Sequence, residues 1–163
     1  MNCTNCGAPT EWAEGRGYCY CRFCSTFQFL DGDSQNSADG ATPLGQETDA
    51  CCPVCGEGLQ WAVVEECRVH YCPACRGMLV DGQTFGTVVQ VRRARFQQPD
   101  RAAVPLNPDD LERVIDCPLC GLPMNVHPYY GPGNIVIDSC HRCHVVWLDH
   151  GELALIESAP GRR

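Results

Sequence analysis

The chain has 163 residues, a net charge of -8 and 15 Cys, together with 16 Gly, 12 Pro and only 8% aromatic residues. This composition argues against one large apolar core and favours several small units, each held together by a metal ion. The 20 acidic residues outnumber the 12 basic ones, which argues against a nucleic acid contacting the whole surface, because phosphate binding draws on a basic face.

The first residues, Met1, Asn2 and Cys3, include neither a basic start nor an apolar run. We therefore expect no secretory signal, and no stretch of the chain has the ~18 apolar residues of a membrane span. A reducing cytoplasmic environment follows as an expectation, and there paired cysteines favour metal binding over disulfides.

One cysteine motif occurs three times along the chain. A Cys-x2-Cys pair followed by Gly begins at Cys3, Cys52 and Cys117, and a second Cys-x2-Cys pair follows after 14, 16 and 19 residues. Each pair forms a zinc knuckle, a tight loop that brings two thiolates to one metal, and two knuckles supply the four ligands of a tetrahedral site. The Gly that follows each opening knuckle allows the sharp turn that the loop requires. The predicted zinc ligands are Cys3, Cys6, Cys21 and Cys24 at the first site, Cys52, Cys55, Cys72 and Cys75 at the second, and Cys117, Cys120, Cys140 and Cys143 at the third.

The predicted fold is small, metal-stabilised and mainly β: three tandem zinc ribbons, each a β-hairpin with two zinc knuckles, with short helices after the second and third. The predicted units are ribbon 1 at residues 1–31, a flexible linker at 32–49, ribbon 2 with its helix at 50–96, a linker with a short helix at 97–115, and ribbon 3 with its helix at 116–158. The first linker is predicted to be flexible because it is rich in Gly, Ser, Asp, Asn, Thr and Gln.

Apolar residues inside the ribbons predict the strands. Alternation favours one strand face at Leu59, Trp61 and Val63 and another at Cys67, Val69 and Tyr71, while Ile135 and Ile137 are expected to face inward after a turn at residues 131–134. The sixth residue after each opening knuckle is Trp12, Trp61 or Val126, which we interpret as a repeated apolar contact over the metal site. The first module ends at Phe27 and Phe29, in a pattern typical of a strand.

Two helices are predicted after the closing knuckles. Asp149 and Glu152 have the spacing of a capping box, which predicts a helix from about His150 to Ser158. Asp81 stands at the equivalent position of the second module, and a longer helix is expected from Gly82 towards Phe96 with Phe85, Val88 and Val89 on one side. A further helix start is predicted at Asn107 and Pro108.

Cys19, Cys51 and Cys67 remain outside the three sites. Cys67 is expected to be a small apolar residue of the core and Cys51 a surplus thiol, with a redox or metal-relay role for Cys51 or Cys19 as the alternative. His141 and His144 flank Cys143 and are expected at the surface rather than as ligands. Because each module supplies four thiolates, no open coordination position is expected for catalysis, and we predict that the protein is not an enzyme.

The third module closely resembles the transcription factor IIB-type zinc-ribbon family. The resemblance rests on its two Cys-x2-Cys pairs and on the closing sequence Trp147-Leu-Asp-x-Gly-Glu-Leu153. The second module looks like a divergent copy, which carries Gln83 where the family has Glu, and the first resembles zinc ribbons only in general. The resemblance implies a zinc-binding fold with four Cys ligands per unit and a transcription-associated label.

The leading hypothesis is a non-catalytic zinc-ribbon protein that binds a protein partner as an adaptor. The first alternative is a nucleic-acid-binding module that uses a basic and aromatic cluster, namely Arg92, Arg93, Arg95, Phe96 and Arg101. The second alternative is a redox protein with rubredoxin-like iron sites or reactive thiols. No membrane partner is expected.

Overall fold

The computed structural model of the chain describes residues 1–13, 17–29, 38–129 and 134–161. These residues form strands β1 (Glu11–Ala13), β2 (Tyr18–Tyr20), β3 (Phe27–Phe29), β4 (Thr42–Cys51), β5 (Gly58–Val64), β6 (Cys67–Tyr71), β7 (Met78–Asp81), β8 (Asn125–Pro128), β9 (Val136–Cys140) and β10 (Val145–Leu148), with helices α1 (Gly82–Arg95) and α2 (Glu152–Ser158) and a 3₁₀ helix at Pro108–Leu111. All strand pairs are antiparallel. The mainly β fold with short helices after the second and third modules is thus confirmed.

The second and third modules share one seven-stranded sheet, in the order β4-β5-β6-β7-β10-β9-β8. They join where β7 pairs with β10, with Leu79 opposite Trp147. Each of these two residues lies four positions after the last Cys of its own module. Equivalent residues of the repeat therefore meet across a local pseudo-two-fold axis. The sequence does not indicate whether the tandem ribbons pack against one another. In the structure the second and third modules form a single unit, which we call the two-module body.

The sheet of the two-module body has two different faces, because side chains of successive strand residues point to opposite sides. On one side, Met78, Val80 and Leu148 form a core with residues of α1 and α2. On the other side, Leu79 and Trp147 pack among the cysteines of the second and third modules. The helices and the cysteine sets thus lie on opposite faces of one sheet.

Strand register separates the two apolar stripes predicted in the second module. Trp61 pairs with His70 while Ala62 pairs with Val69, so the Leu59 stripe and the Val69 stripe face opposite sides of the sheet. Trp61 is only half-buried, and its ring stacks on His70 at 4.3 Å between centroids rather than covering a metal site.

The other predicted apolar contacts had different outcomes. Trp12 is 50% exposed, so it does not cover its site as expected either. Ile135 and Ile137 are buried as predicted, and residues 131–133 of the predicted turn lie outside the described residues.

The predicted flexible linker at residues 32–49 differs from the structure over its second half. Residues 42–51 form β4, which covers the edge of β5 with register shifts along its length. Just before it, Asp39 and Ala41 are each 1% exposed, and the Asp39 carboxylate accepts hydrogen bonds from the N–H groups of Gly151 (2.6 Å) and Ala154 (3.1 Å). The polar composition of this segment suits a solvent-facing edge strand. Residues 30–37 lie outside the described part of the chain.

The helix of the second module begins as predicted. Asp81 accepts hydrogen bonds from the N–H groups of Gln83 (3.0 Å) and Thr84 (3.2 Å), and Phe85, Val88 and Val89 are buried.

The helix of the third module has one of the two hydrogen bonds of the predicted capping box. The N–H of Asp149 donates to Glu152 Oε2 (2.9 Å).

The other hydrogen bond of a capping box, from a helix N–H to the capping side chain of Asp149, is absent at α2. The Asp149 carboxylate accepts from Trp147 Nε1 (3.0 Å) and pairs with Arg113, so α2 begins at Glu152 rather than His150. Asp39 caps it instead. In the segment before the third module, the predicted helix is limited to one 3₁₀ turn, which the Asn107 side chain caps.

The first module forms its own three-stranded sheet, β1-β2-β3, which we call the first ribbon. No helix follows β3 in the described residues, and the aromatic face of the sheet rests on the two-module body instead. The Phe29 and Tyr18 rings lie 5.0 and 6.0 Å from the His150 ring, and the Arg76 guanidinium stacks 3.7 Å from the Phe29 centroid.

Candidate metal centres

The structure brings the twelve predicted ligands together in three sets of four. The Sγ atoms of each set lie within 4.8 Å of one another. Sγ–Sγ contacts within the sets measure 3.5 Å in the first, 3.4 Å in the second and 3.7 Å in the third. A tetrahedron with metal–sulfur bonds of 2.3 Å has edges of ~3.8 Å, whereas a disulfide bond measures about 2.05 Å. The separations therefore fit four thiolates around one metal ion, and no cysteine forms a disulfide.

The opening knuckles share one backbone geometry. Gly7, Gly56 and Gly121 have φ values of 76°, 81° and 72°, in the left-handed region that glycine enters at little cost. Each donates its N–H to the carbonyl of the first Cys of its knuckle, at 2.9, 3.0 and 2.8 Å. The glycine in the repeated motif is thus explained by the turn.

The closing knuckles make the same turn without glycine. Ser25, Arg76 and His144 have φ values of 57°, 60° and 55°, and such a conformation costs roughly 1–2 kcal/mol for a residue with a side chain. Each follows the second Cys of its pair. We expect metal binding to hold these turns in place, since the bound thiolates fix both ends of the loop.

Backbone N–H groups point at several sulfurs. The N–H groups of Val54, Cys75 and Cys143 lie 3.4 Å from the sulfurs of Cys52, Cys72 and Cys140, respectively. Hydrogen bonds of this kind favour the ionised thiolate. They prepare these sulfurs to bind a cation.

The second set shows why four such thiols require a cation. Hydrogen bonds from Cys52 and Cys75 lower the pKa of Cys72, whereas the hydrogen bonds with Cys52, Cys55 and Cys72 strongly raise the pKa of Cys75. Neighbouring thiolates repel one another, so one thiol ionises at the expense of the others. A divalent metal ion removes this conflict, because it allows all four sulfurs to ionise.

The second and third sets share one apolar layer. Trp147 is fully buried and packs among cysteines of both sets. Its indole lies directly over Gly77, where a Cβ atom would collide with the ring. The first set is more open, since Cys6 is exposed there, whereas no cysteine of the second or third set is.

The remaining cysteines and the flanking histidines lie outside the three sets. Cys67 packs against the core beneath the helices, in line with its predicted apolar role. Cys51 is exposed and Cys19 is buried. His141 and His144 are exposed, as expected for residues that are not ligands.

Arginines of the predicted basic cluster are engaged within the two-module body. Arg92 pairs with Glu157 at 2.5 Å and donates to the Asp39 carbonyl at 2.7 Å. Arg93 is buried and donates to two carbonyls at the end of α2. Arg95 pairs with Glu65. These contacts join α1 to α2 and to the segment around Asp39.

A partly buried ion-pair network was not predicted from the sequence. Arg113 pairs with Asp149 and with Asp138, whose side chain is 2% exposed. Burial raises the pKa of Asp138, and the Arg113 guanidinium opposes that rise. Burial alone would lower the pKa of Arg113, but the attraction of the Asp149 and Asp138 carboxylates is the larger effect, so the pKa is raised. The network ties the segment before the third module to that module. Of the three residues in this network, the sequence singles out only Asp149, as a predicted helix cap.

Compared with known proteins, the chain matches no family model, and searches of curated proteins and of solved structures gave no significant match. The resemblance of the third module to the transcription factor IIB-type zinc ribbons therefore stays a prediction. Neither helix of the described residues has the length and apolar character needed to cross a bilayer.

Proposed function

We propose that the protein is a non-catalytic zinc-ribbon protein that acts as a protein-binding adaptor. The observation that carries the proposal is that each of the three cysteine sets is complete, with four sulfurs placed around one point. Structural zinc sites have such closed sets, whereas catalytic zinc sites keep one position for water or substrate. Each metal would then hold the fold and leave the exposed surface for binding.

Zinc is the metal that we propose for all three sites. A set of four thiolates suits Zn²⁺, but it also suits the single iron of a rubredoxin-like site. Elemental analysis of the purified protein should give three equivalents of zinc, and the solution should be colourless. Iron with strong visible absorption would instead support the redox alternative.

A protein partner agrees better with the charges than a nucleic acid does. The net charge is -8, and four thiolates around each Zn²⁺ would add negative charge. Arg92, Arg93 and Arg95 are engaged by carboxylates and carbonyls, so contact with phosphates would require breaking these interactions. A transcription-associated role rests on the sequence resemblance alone.

The adaptor proposal is tested by affinity capture with the full zinc-loaded chain after nuclease treatment. We expect a protein partner to be retained, and we expect its retention to fall when a chelator removes the metal. Parallel titrations with duplex DNA and single-stranded RNA at increasing salt test the nucleic-acid alternative. Failure to retain any protein, together with tight and steeply salt-dependent binding of a nucleic acid, would overturn the proposal.

A further inference from the structure

An open groove with a volume of about 990 Å³ separates the first ribbon from the third module. The first ribbon lines one side with the aromatic side chains of Trp12, Tyr20 and Phe27. The exposed segment before the third module lines the other side with Val104 and Pro105. The groove thus lies between the first ribbon and the two-module body.

Part of the apolar lining of this groove is exposed. Trp12 is 50% exposed and Val104 is 56% exposed, although both lie beside other apolar side chains. Contiguous exposed apolar surface on a folded protein marks an interaction site more often than isolated exposed residues do. The Val104 carbonyl accepts a hydrogen bond from Asn134 Nδ2 at 2.9 Å, which connects this segment to the third module. The exposed apolar side chains of the groove are therefore accessible to a ligand.

The charges along the groove favour a basic ligand. Among the described residues, the Asp109 and Asp110 carboxylates have no ion-pair partner, and both residues are exposed. Glu11 is neutralised by Arg22 at 2.8 Å, and Arg113 is engaged by Asp138 and Asp149. Of the three arginines among the described residues that line the groove, only Arg101 has no carboxylate partner. A phosphate backbone would meet more unpaired negative than positive charge here.

The size of the groove favours a peptide over a small molecule. Small-molecule sites measure about 300–1,000 Å³ and enclose most of their ligand, whereas this groove has a volume at the upper end of that range and is open to solvent. Aromatic grooves that bind extended or proline-rich peptides are a recurring mode of recognition. From these observations we propose that the groove binds an extended segment of a partner protein, with apolar residues on the aromatic side and an Arg or Lys near Asp109 and Asp110. This inference rests on the proposed adaptor function.

The test is a selection of random 12-residue peptides, displayed on phage, against the full zinc-loaded chain. We expect the selected peptides to combine Arg or Lys with aliphatic, aromatic or Pro residues. Synthetic copies should bind at least tenfold more weakly to Trp12→Ala, and about three- to tenfold more weakly to the double variant Asp109→Asn/Asp110→Asn. Replacing Arg and Lys by Glu in the same peptide should abolish binding.

Matched controls separate loss of the groove from loss of the fold. The double variant Glu57→Gln/Glu66→Gln removes two negative charges, as the Asp109/Asp110 variant does, but from exposed positions outside the groove lining. Phe23→Ala removes an aromatic ring that is 79% exposed and also lies outside the lining. Both should bind the peptides like the parent protein. All variants should retain three equivalents of metal and the parent circular dichroism spectrum.

Three results would contradict the groove proposal: no enriched peptide, enrichment of acidic peptides, or peptides that bind Trp12→Ala and the Asp109/Asp110 variant as tightly as the parent. Displacement of the peptides by single-stranded RNA with the same sensitivity to Trp12→Ala would assign the groove to nucleic acid instead. A captured protein partner that binds Trp12→Ala normally would leave the adaptor function standing while the groove proposal fails.

Discussion

The first ribbon and the two-module body are built from the same cysteine motif but are held in different ways. In the body, β7 and β10 join two modules into one sheet, with Trp147 buried among the cysteines of both. The first ribbon has three short strands, and aromatic contacts attach it to Arg76 and His150 and, through Phe27, to the apolar layer of the second and third cysteine sets. Its cysteine set is also the most exposed of the three.

This difference separates what each cysteine set specifies locally from what packing between modules adds. Each set of cysteines specifies a local turn and hairpin, and it does so equally in all three modules. Packing then decides whether neighbouring modules become one cooperative unit. We expect the second and third sites to stabilise each other, whereas the first ribbon should gain and lose its metal independently.

The largest expected effect comes from Cys140→Ser. Cys140 is 4% exposed and belongs both to the third set and to β9. Binding at a structural zinc site provides on the order of 10 kcal/mol, so the loss of one thiolate should release the third metal and unfold the sheet that the second module shares. Elemental analysis and circular dichroism would measure both effects.

Two controls sharpen that result. Cys21→Ser should release the first metal while most of the β-sheet signal remains, because the first ribbon has its own sheet. Cys51→Ser changes an exposed cysteine outside the three sets and should leave three equivalents bound. Loss of only the third hairpin in Cys140→Ser, with the second module intact, would contradict the cooperative body.

Trp147→Ala should produce the next largest effect. Trp147 is fully buried at the junction of the two modules, and truncation of such a residue costs roughly 3–5 kcal/mol. Urea unfolding of the zinc-loaded protein would give this value. Trp12→Ala, at a half-exposed position, is the matched control and should cost less than about 1 kcal/mol. Equal effects of the two substitutions would show that the junction is not a packed core.

Arg113→Met should destabilise the third module by about 2 kcal/mol, because it leaves the buried Asp138 carboxylate without its cation. The double variant Arg113→Met/Asp138→Asn should recover part of the loss, since the charge of the most buried carboxylate is then removed, while Asp149 keeps the hydrogen bond from Trp147 Nε1. A double-mutant cycle by urea unfolding measures this coupling. Additive effects of the two substitutions would mean that the pair is not coupled.

Asp39→Ala should have the smallest of these effects, about 1–2 kcal/mol, because it removes a helix cap from α2. Asp39→Asn keeps a side-chain acceptor and should lose less. Asp49→Ala, on the exposed part of β4, is the control and should be neutral within about 0.5 kcal/mol. If Asp39→Ala were equally neutral, the segment around Asp39 would be a tether after all.

The parts of the structure that could be predicted from the sequence are local. Cysteine spacing predicted the three sets, because a knuckle is formed by four neighbouring residues and a permissive Gly such as Gly121. Asp81 predicted the start of α1 for the same reason, since a cap and the N–H groups it binds lie within three residues.

The parts that could not be predicted depend on distant residues. Asp39 caps a helix whose first bonded N–H is 112 positions further along the chain, and its polar surroundings in sequence are typical of a linker. Asp149 has the spacing of a cap, but Trp147 and Arg113 bind its carboxylate instead. In the sequence, β7 and β10 are only two short apolar runs. Nothing in them indicates that they pair with each other, because the pairing depends on how both modules fold.

Staged removal of metal from the intact protein tests the central claim most directly. A chelator titration followed by native mass spectrometry, with hydrogen exchange of the backbone amides measured at each stage, would show which sites empty together. We predict three bound equivalents, of which one leaves first with loss of amide protection in the first ribbon, and two leave together with loss of protection across β5 to β10. Three independent losses, or fewer than three equivalents at the start, would contradict this account.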